Sequence, residues 1–296
     1  MSNMLSATER LQDEVIQDVD ALVESMGRVR DHIATLIFGQ TRVVDQVLIT
    51  LLSGGHVLLV GVPGLAKTRL TEMLGTILGL SEQRVQFTPD LMPADILGSE
   101  VLEETETGRR SFRFIEGPVF CQLLMADEIN RASPRTQSAL LQAMQEHKIS
   151  VAGRSHALPH PFHVIATQNP IEQEGIYPLP EAQLDRFLMQ VDIDYPGRDD
   201  EWKMLVETTG STEKLAEQVL TADELCAAQR LVRTVPVGES VVEAILELIR
   251  SGRPKTSNIK LVADNVSWGP GPRAGQALML ATRARALLDG RVSPSI

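Results

Sequence analysis

Cysteine is nearly absent: the 296-residue chain has two, Cys121 and Cys226. They lie far apart and in no Cys-x-x-Cys arrangement, which argues against a disulfide framework and against a zinc site. Both fall in apolar runs and are expected to be small buried hydrophobes. Basic charge is also short, with 28 Lys and Arg against 39 Asp and Glu, a net charge of −11. Non-specific binding to nucleic acid draws on cations that meet phosphates, so nucleic acid is disfavoured as a partner. No apolar run approaches the about 18 residues that a spanning helix needs, so no membrane insertion is expected. The first residues, MSNMLSATERLQDEV, carry no basic segment followed by an apolar one and do not read as a signal peptide. The expected compartment is a reducing cytoplasm. Neither repeats nor low-complexity segments are found.

What is present is a chain of 43% hydrophobic residues, enough for sizeable cores. Residues 12–36 predict a helix, with Val15, Val19, Leu22, Val23 and Met26 at three-and-four spacing. A second helix, 41–52, ends at Gly54-Gly55. Then short apolar runs alternate with helical stretches. HVLLV (56–60), RVQF (84–87), CQLLMA (121–126), FHVIAT (162–167) and LMQVDID (188–194) read as strands. The run 68–79 reads as a helix, and so does a segment from Ser133-Pro134 to about Lys148, opened by a cap and a first-turn proline. This alternation predicts an α/β fold with a parallel sheet between helices. After Tyr195-Pro196-Gly197 only helices are expected. Thr221 with Glu224 and Ser240 with Glu243 read as capping boxes, and Gly252 and Gly290 as C-terminal caps. Residues 198–296 are therefore read as a small all-helical domain beyond a hinge.

Between the first strand and the next helix stands GVPGLAKT (61–68). A P-loop of the usual form has Gly, four residues, then Gly-Lys-Thr, and here Ala66 replaces the last glycine. Such a loop holds phosphates with consecutive backbone N–H groups at a helix N-terminus. Gly61 and Gly64 are expected to supply unusual backbone angles, and Ala66 is expected to have entered the helix with ordinary helical angles. Lys67 would reach the phosphates, and the Thr68 hydroxyl would ligate Mg²⁺. LLMADE (123–128) is an apolar strand that ends in two acids. Asp127 would hold Mg²⁺ through water, and Glu128 would orient and deprotonate the attacking water. Gln168-Asn169 ends the following strand, where a side-chain amide can meet the γ-phosphate or the water. Asn169 can also simply begin the turn with Pro170. Together these residues predict ATP hydrolysis.

GVPGLAKT, LLMADEINRASPRTQSALLQAMQE (123–146), ATQNPIEQEGIYPLPEAQLDRF (166–187) and WGPGPRA (268–274) together resemble the MoxR family of AAA+ ATPases. The resemblance covers nearly the whole chain in order, and in that family alanine before the P-loop lysine is usual. It implies an N-terminal lead-in (1–39), an AAA+ core (40–196) and a helical lid (198–296). It implies that the whole stretch Gly61, Val62, Pro63, Gly64, Leu65, Ala66, Lys67, Thr68 and Arg69 contacts ATP or ADP. Ile37, Phe38 and Gly39 match the segment that lines the adenine pocket, with Tyr195-Pro196 close by. Asn169 matches the sensor-1 position, Arg186 the arginine finger and Arg273 sensor 2, the last acting on its own or a neighbour's nucleotide. The segment 102–120, with alternation around Phe112 and Phe114 and a turn at Gly108, reads as a hairpin or broken-helix insert, and 148–162, with a turn at Ala152-Gly153-Arg154, as a second hairpin; both match inserts of this AAA+ branch. Arg109, Arg110, Arg113 and Arg154 are candidates for a basic surface on them. The implied assembly is a ring, a hexamer, and the implied task is chaperone-like remodelling of a client with a von Willebrand factor A domain partner. The alternatives are the motor subunit of a metal chelatase, a DNA-associated AAA+ motor, and a nucleotide switch that does not hydrolyse.

Overall fold

A computed structural model describes residues 19–104, 110–171, 175–209 and 215–296. Val15, Gly108 and Arg109 lie outside the described residues. Helix α1 occupies 19–34 of the described part. It is followed by α2 (Thr41–Leu52), β1 (Val57–Gly61), α3 (Lys67–Ile77), β2 (Glu82–Gln86) and α4 (Pro93–Leu97). Next come β3 (Gly98–Glu104), β4 (Arg110–Glu116), β5 (Leu123–Asp127), α5 (Pro134–Glu146), β6 (Lys148–Val151) and β7 (Arg154–Ala157). Then β8 (His163–Gln168), α6 (Glu181–Leu184) and β9 (Met189–Ile193) complete the α/β part. The remainder is helical: α7 (Arg198–Thr208), α8 (Ala222–Thr234), α9 (Glu239–Ser251), α10 (Lys260–Asn265) and α11 (Pro272–Leu288).

Five strands form one parallel sheet in the order β2-β5-β8-β1-β9. The central strands are continuous apolar runs because both faces of a parallel sheet are covered. Residues of one strand alternate between two cores, as the two-residue period of a strand requires. Leu59, Leu123 and Ile165 face the core built with α1, α2 and α3. Leu58, Leu124 and Ala166 face the core built with Leu140, Leu141 and Met144 of α5. The edge strand β2 is polar apart from Val85, since only one flank of it is paired.

The last helices divide their packing. Leu225 and Val232 of α8 and Leu287 and Leu288 of α11 join the core of α1–α3. Val241, Ile245 and Ile249 of α9 make a separate small cluster with Leu278 and Met279 of α11. The Thr221–Glu224 capping box is present. The expected box at Ser240 and Glu243 is not, because α9 starts two residues earlier at an uncapping Gly238. Gly290 takes φ +72 after α11. Gly252 sits at the end of α9 with right-handed angles, so any residue would satisfy its backbone.

Both inserts are antiparallel hairpins, β3–β4 and β6–β7. The turn of the second takes positive φ at Ala152 and Gly153. The expected basic surface on the first is neutralised at two of its positions. Arg110 pairs with Glu104 and Arg113 with Glu103. No helix among the described residues is long and apolar enough to cross a membrane.

Candidate functional site

Parallel strands present all their carboxyl ends on one side, and the loops from those ends meet there. β1 leads into the P-loop, β5 into Asp127-Glu128, and β8 into Gln168-Asn169. Strand register fixes their proximity, since Ala126 pairs with Ala166 and Val60 with Gln168.

The P-loop departs from expectation at two residues. Ala66 does not have helical angles; it is the N-cap of α3 in the left-handed region, φ 56 and ψ 22. Its place is one usually filled by glycine because L side chains are disfavoured there. Gly64 does take positive φ, at +87, but Gly61 does not. Gly61 is required by space: a Cβ there would lie 2.8 Å from the Ile193 carbonyl oxygen of β9. The Lys67 ammonium hydrogen-bonds the Gly61 carbonyl across the loop. Buried Gln40 braces the loop by donating to the Leu65 carbonyl at 3.2 Å. Thr68 is half-buried in the first turn of α3.

A cavity of about 400 Å³ opens beside the loop, in the size range of small-ligand sites. Its walls include Ile37, Phe38, Pro63, Leu65, Tyr195 and Pro196, so the segments expected to hold adenine do come together. Gly39, at φ +71, lies under α7, where a Cβ would lie 2.8 Å from both Pro196 and Asp200. Glu201, Met204 and Thr208 of α7 add a wall that sequence reasoning did not foresee.

The two acids are held by a dense polar set. Thr167 Oγ1 donates to Asp127 Oδ1 at 2.5 Å and accepts from the Glu128 amide at 2.8 Å. Arg84 Nη2 donates to Asp127 Oδ2 at 2.8 Å. The Glu128 carboxylate accepts from Gln86 at 2.7 Å and from Arg131 at 3.0 Å. Glu128 itself has φ 55 and ψ 49, left-handed angles that are sparsely populated and recur at functional sites. Asn169 is buried, and its Oδ1 accepts from the Ile171 amide at 3.3 Å. It can therefore meet a phosphate oxygen only through its NH₂ group. Thr68 hydroxyl and a buried Asp127 carboxylate are hard oxygen donors, the set that Mg²⁺ takes together with substrate phosphates.

Arg186 and Arg273 are brought to each other's vicinity and not to the P-loop. Arg186 precedes β9 by three residues, at the end of the sheet opposite the loop. Val57 pairs with Met189 and Gly61 with Ile193, so about 13 Å of strand, at 3.3 Å per residue, separates the two ends. Its guanidinium donates to the Leu141 carbonyl of α5 at 2.6 Å, on the face away from α3. The neighbouring Asp185 does not pair with it. Asp185 accepts instead from Arg273, which opens α11, at 3.1 Å.

Sequence reasoning missed Arg84, Gln86 and Thr167. Their signals were faint. Arg84 and Gln86 sit two apart on one face of an edge strand, and Thr167 matters only once Asp127 is known to lie across from it.

A P-loop between strand and helix, with a carboxylate-tipped neighbouring strand on a five-stranded parallel sheet, defines the class: an α/β P-loop ATPase. The profile of the ATPase family associated with various cellular activities (AAA) matches residues 56–189. Chaperone MoxR1 of Mycobacterium tuberculosis is 41% identical over 272 residues, which cover 92% of this chain and 71% of that protein. Protein MoxR of Paracoccus denitrificans is 32% identical over 286 residues, covering 89% and 82%. The crystal structure of a candidate ATPase from Cytophaga hutchinsonii superposes with a TM-score of 0.82 at 32% identity, covering 99% of this chain and 86% of that one. The chain belongs to the MoxR family of AAA+ ATPases.

Proposed function

We propose that this ATPase completes its site between subunits of a ring and uses ATP hydrolysis to remodel a client protein. The observation that carries the reading is the division of charges across the sheet. The loop, Asp127, Glu128 and Asn169 stand at one end, and Arg186 and Arg273 at the other.

ATP lies with adenine between Ile37-Phe38 and Tyr195 and its phosphates in the backbone cradle of residues 61–68. Lys67 leaves the Gly61 carbonyl for the phosphate oxygens, a stronger charged partner. Thr68 and, through water, Asp127 would hold Mg²⁺, which would supply neutralising charge beside the phosphates. Glu128 accepts the proton of a water whose oxygen attacks the γ-phosphorus, as the bond to the β–γ bridging oxygen breaks. Asn169 donates to the γ-phosphate. Arg186 and Arg273 reach a neighbour's nucleotide, where an arginine supplied in trans raises the rate by about 10³–10⁵. The ring is read as a hexamer. The relatives named chaperone and MoxR support a chaperone-type task, and the family resemblance supports a partner with a von Willebrand factor A domain. The −11 charge and the paired arginines of the β3–β4 hairpin weigh against a DNA motor.

Fluorescent-nucleotide binding and phosphate release test the site together. Lys67→Ala should lose nucleotide binding, whereas Glu128→Gln should bind ATP and release no phosphate. Wild-type affinity in the first, or wild-type turnover in the second, contradicts the assigned roles.

A further inference from the structure

The edge strand β2 supplies a cation to the carboxylate that the proposed site uses for its metal. Register places Gln86 opposite Asp127, and Arg84 two residues earlier lies on the same face of the strand. Its Nη2 reaches Asp127 Oδ2 at 2.8 Å, with the Arg84 side chain 46% exposed and that of Asp127 12%. The other carboxylate oxygen is taken by the Thr167 hydroxyl. Both oxygens of Asp127 therefore already have a donor, and only Arg84 carries charge.

We propose that Arg84 is a positioning residue that sets the Mg²⁺ requirement of this site. The inference rests on the nucleotide-site reading above. Asp127 sits on a buried strand tip with its Oδ1 side tethered by the Thr167 hydroxyl, which leaves Oδ2 as the oxygen for which a hydrated divalent cation and Arg84 compete. The guanidinium also repels that cation for as long as it stays nearby. A half-exposed arginine can leave at modest cost, because water takes its hydrogen bonds. The pairing thus discourages the metal at low Mg²⁺ and yields when Mg²⁺ arrives with nucleotide. An ordinary surface ion pair would stabilise the strand edge and leave the metal dependence unchanged.

The test is a titration of MgCl₂ against binding of mant-AMPPNP, a fluorescent ATP analogue that is not hydrolysed. It uses the full chain of wild type, Arg84→Gln, Arg84→Ala and Arg84→Lys, each checked for native far-UV circular dichroism. A pair of this exposure predicts a half-saturating Mg²⁺ concentration lower by about fivefold in Arg84→Gln and Arg84→Ala. Arg84→Lys keeps a cation there and should stay nearer to wild type than Arg84→Gln. An equal or higher Mg²⁺ requirement in the folded neutral variants, or a larger shift in Arg84→Lys than in Arg84→Gln, overturns the role of Arg84 and leaves the nucleotide site standing. A wild-type protein that binds no analogue at any Mg²⁺ concentration overturns the nucleotide reading and this inference with it.

Discussion

Ala66 and Glu128 are both non-glycine residues held at left-handed angles, one at the entrance to α3 and one after β5. The two strains have different consequences. At Ala66 nothing but the backbone turn is required, so the methyl group is a small local burden. Ala66→Gly should keep ATPase activity and raise stability by about 0.5–1 kcal/mol, net of the extra freedom that glycine gives the unfolded chain. Urea melts of the two proteins measure this, and a loss of stability would show that the alanine methyl packs favourably. At Glu128 the angles aim a carboxylate, with the Glu128 amide fixed by Thr167. The placement of the P-loop, the two acids and Asn169 at strand ends was legible in the sequence because each follows a short apolar run bounded by turn residues. The conformation of Ala66 was not, since angles depend on where the loop must meet α3. Arg84 and Thr167 were not legible either, since their roles exist only across strand pairs.

Strands and helices add a second layer. Beneath the sheet, at the amino ends of β1 and β8, two buried histidines are satisfied only when neutral. His56 accepts from the Val164 amide at 3.0 Å and bonds the Met144 carbonyl through its other nitrogen. His163 bonds the Gly55 carbonyl at 2.8 Å and meets Gln229 of α8 at 2.9 Å. Burial, with nearby His163, holds His56 down at about 3. Burial likewise holds His163 at about 4, against a backbone bond to Gly55 that pulls upward. The ordinary histidine value is 6.5. The unfolded chain thus binds these protons first, and stability is lost as pH falls below that value toward 4 and then 3. Each histidine contributes up to about 1.4 kcal/mol per pH unit over its window. Denaturation midpoints at pH 7 and pH 5 should fall with pH in the wild type and fall less in His163→Gln. An equal slope in both would show that His163 titrates normally in the fold. All five sheet strands were legible within a residue or two at each end, the central three as apolar runs and the more polar edge strands β2 and β9 in the strand–helix alternation. The β3–β4 hairpin was legible as a hairpin or broken-helix insert over 102–120, with its first strand starting four residues earlier than expected, and the cap of α9 was misplaced by two residues.

For the whole molecule, the separation of charges across the sheet is the decisive feature. One chain presents a phosphate cradle with two acids, and it presents Arg186 and Arg273 elsewhere. The family resemblance named both arginines, matched Arg186 to a finger that enters a neighbour's site, and left Arg273 to its own or a neighbour's nucleotide. The parallel pairing of β1 with β9 and the contact of Arg273 with Asp185 keep both away from the P-loop end of the sheet, which supports the proposed action in trans. Arg186→Ala should therefore bind ATP normally and hydrolyse almost none. Mixing it with Glu128→Gln, which still carries Arg186, should restore part of the activity, because each Arg186→Ala site then borrows a neighbour's arginine. Absence of any rescue would argue that Arg186 does not act in trans.

The most direct measurement is the ATPase rate per subunit against protein concentration, with mass photometry on the same samples. Completion of the site between chains predicts a specific rate that rises with concentration in step with the population of oligomers. A flat specific rate from a protein that remains monomeric would mean that one chain holds every group it needs, which contradicts the account.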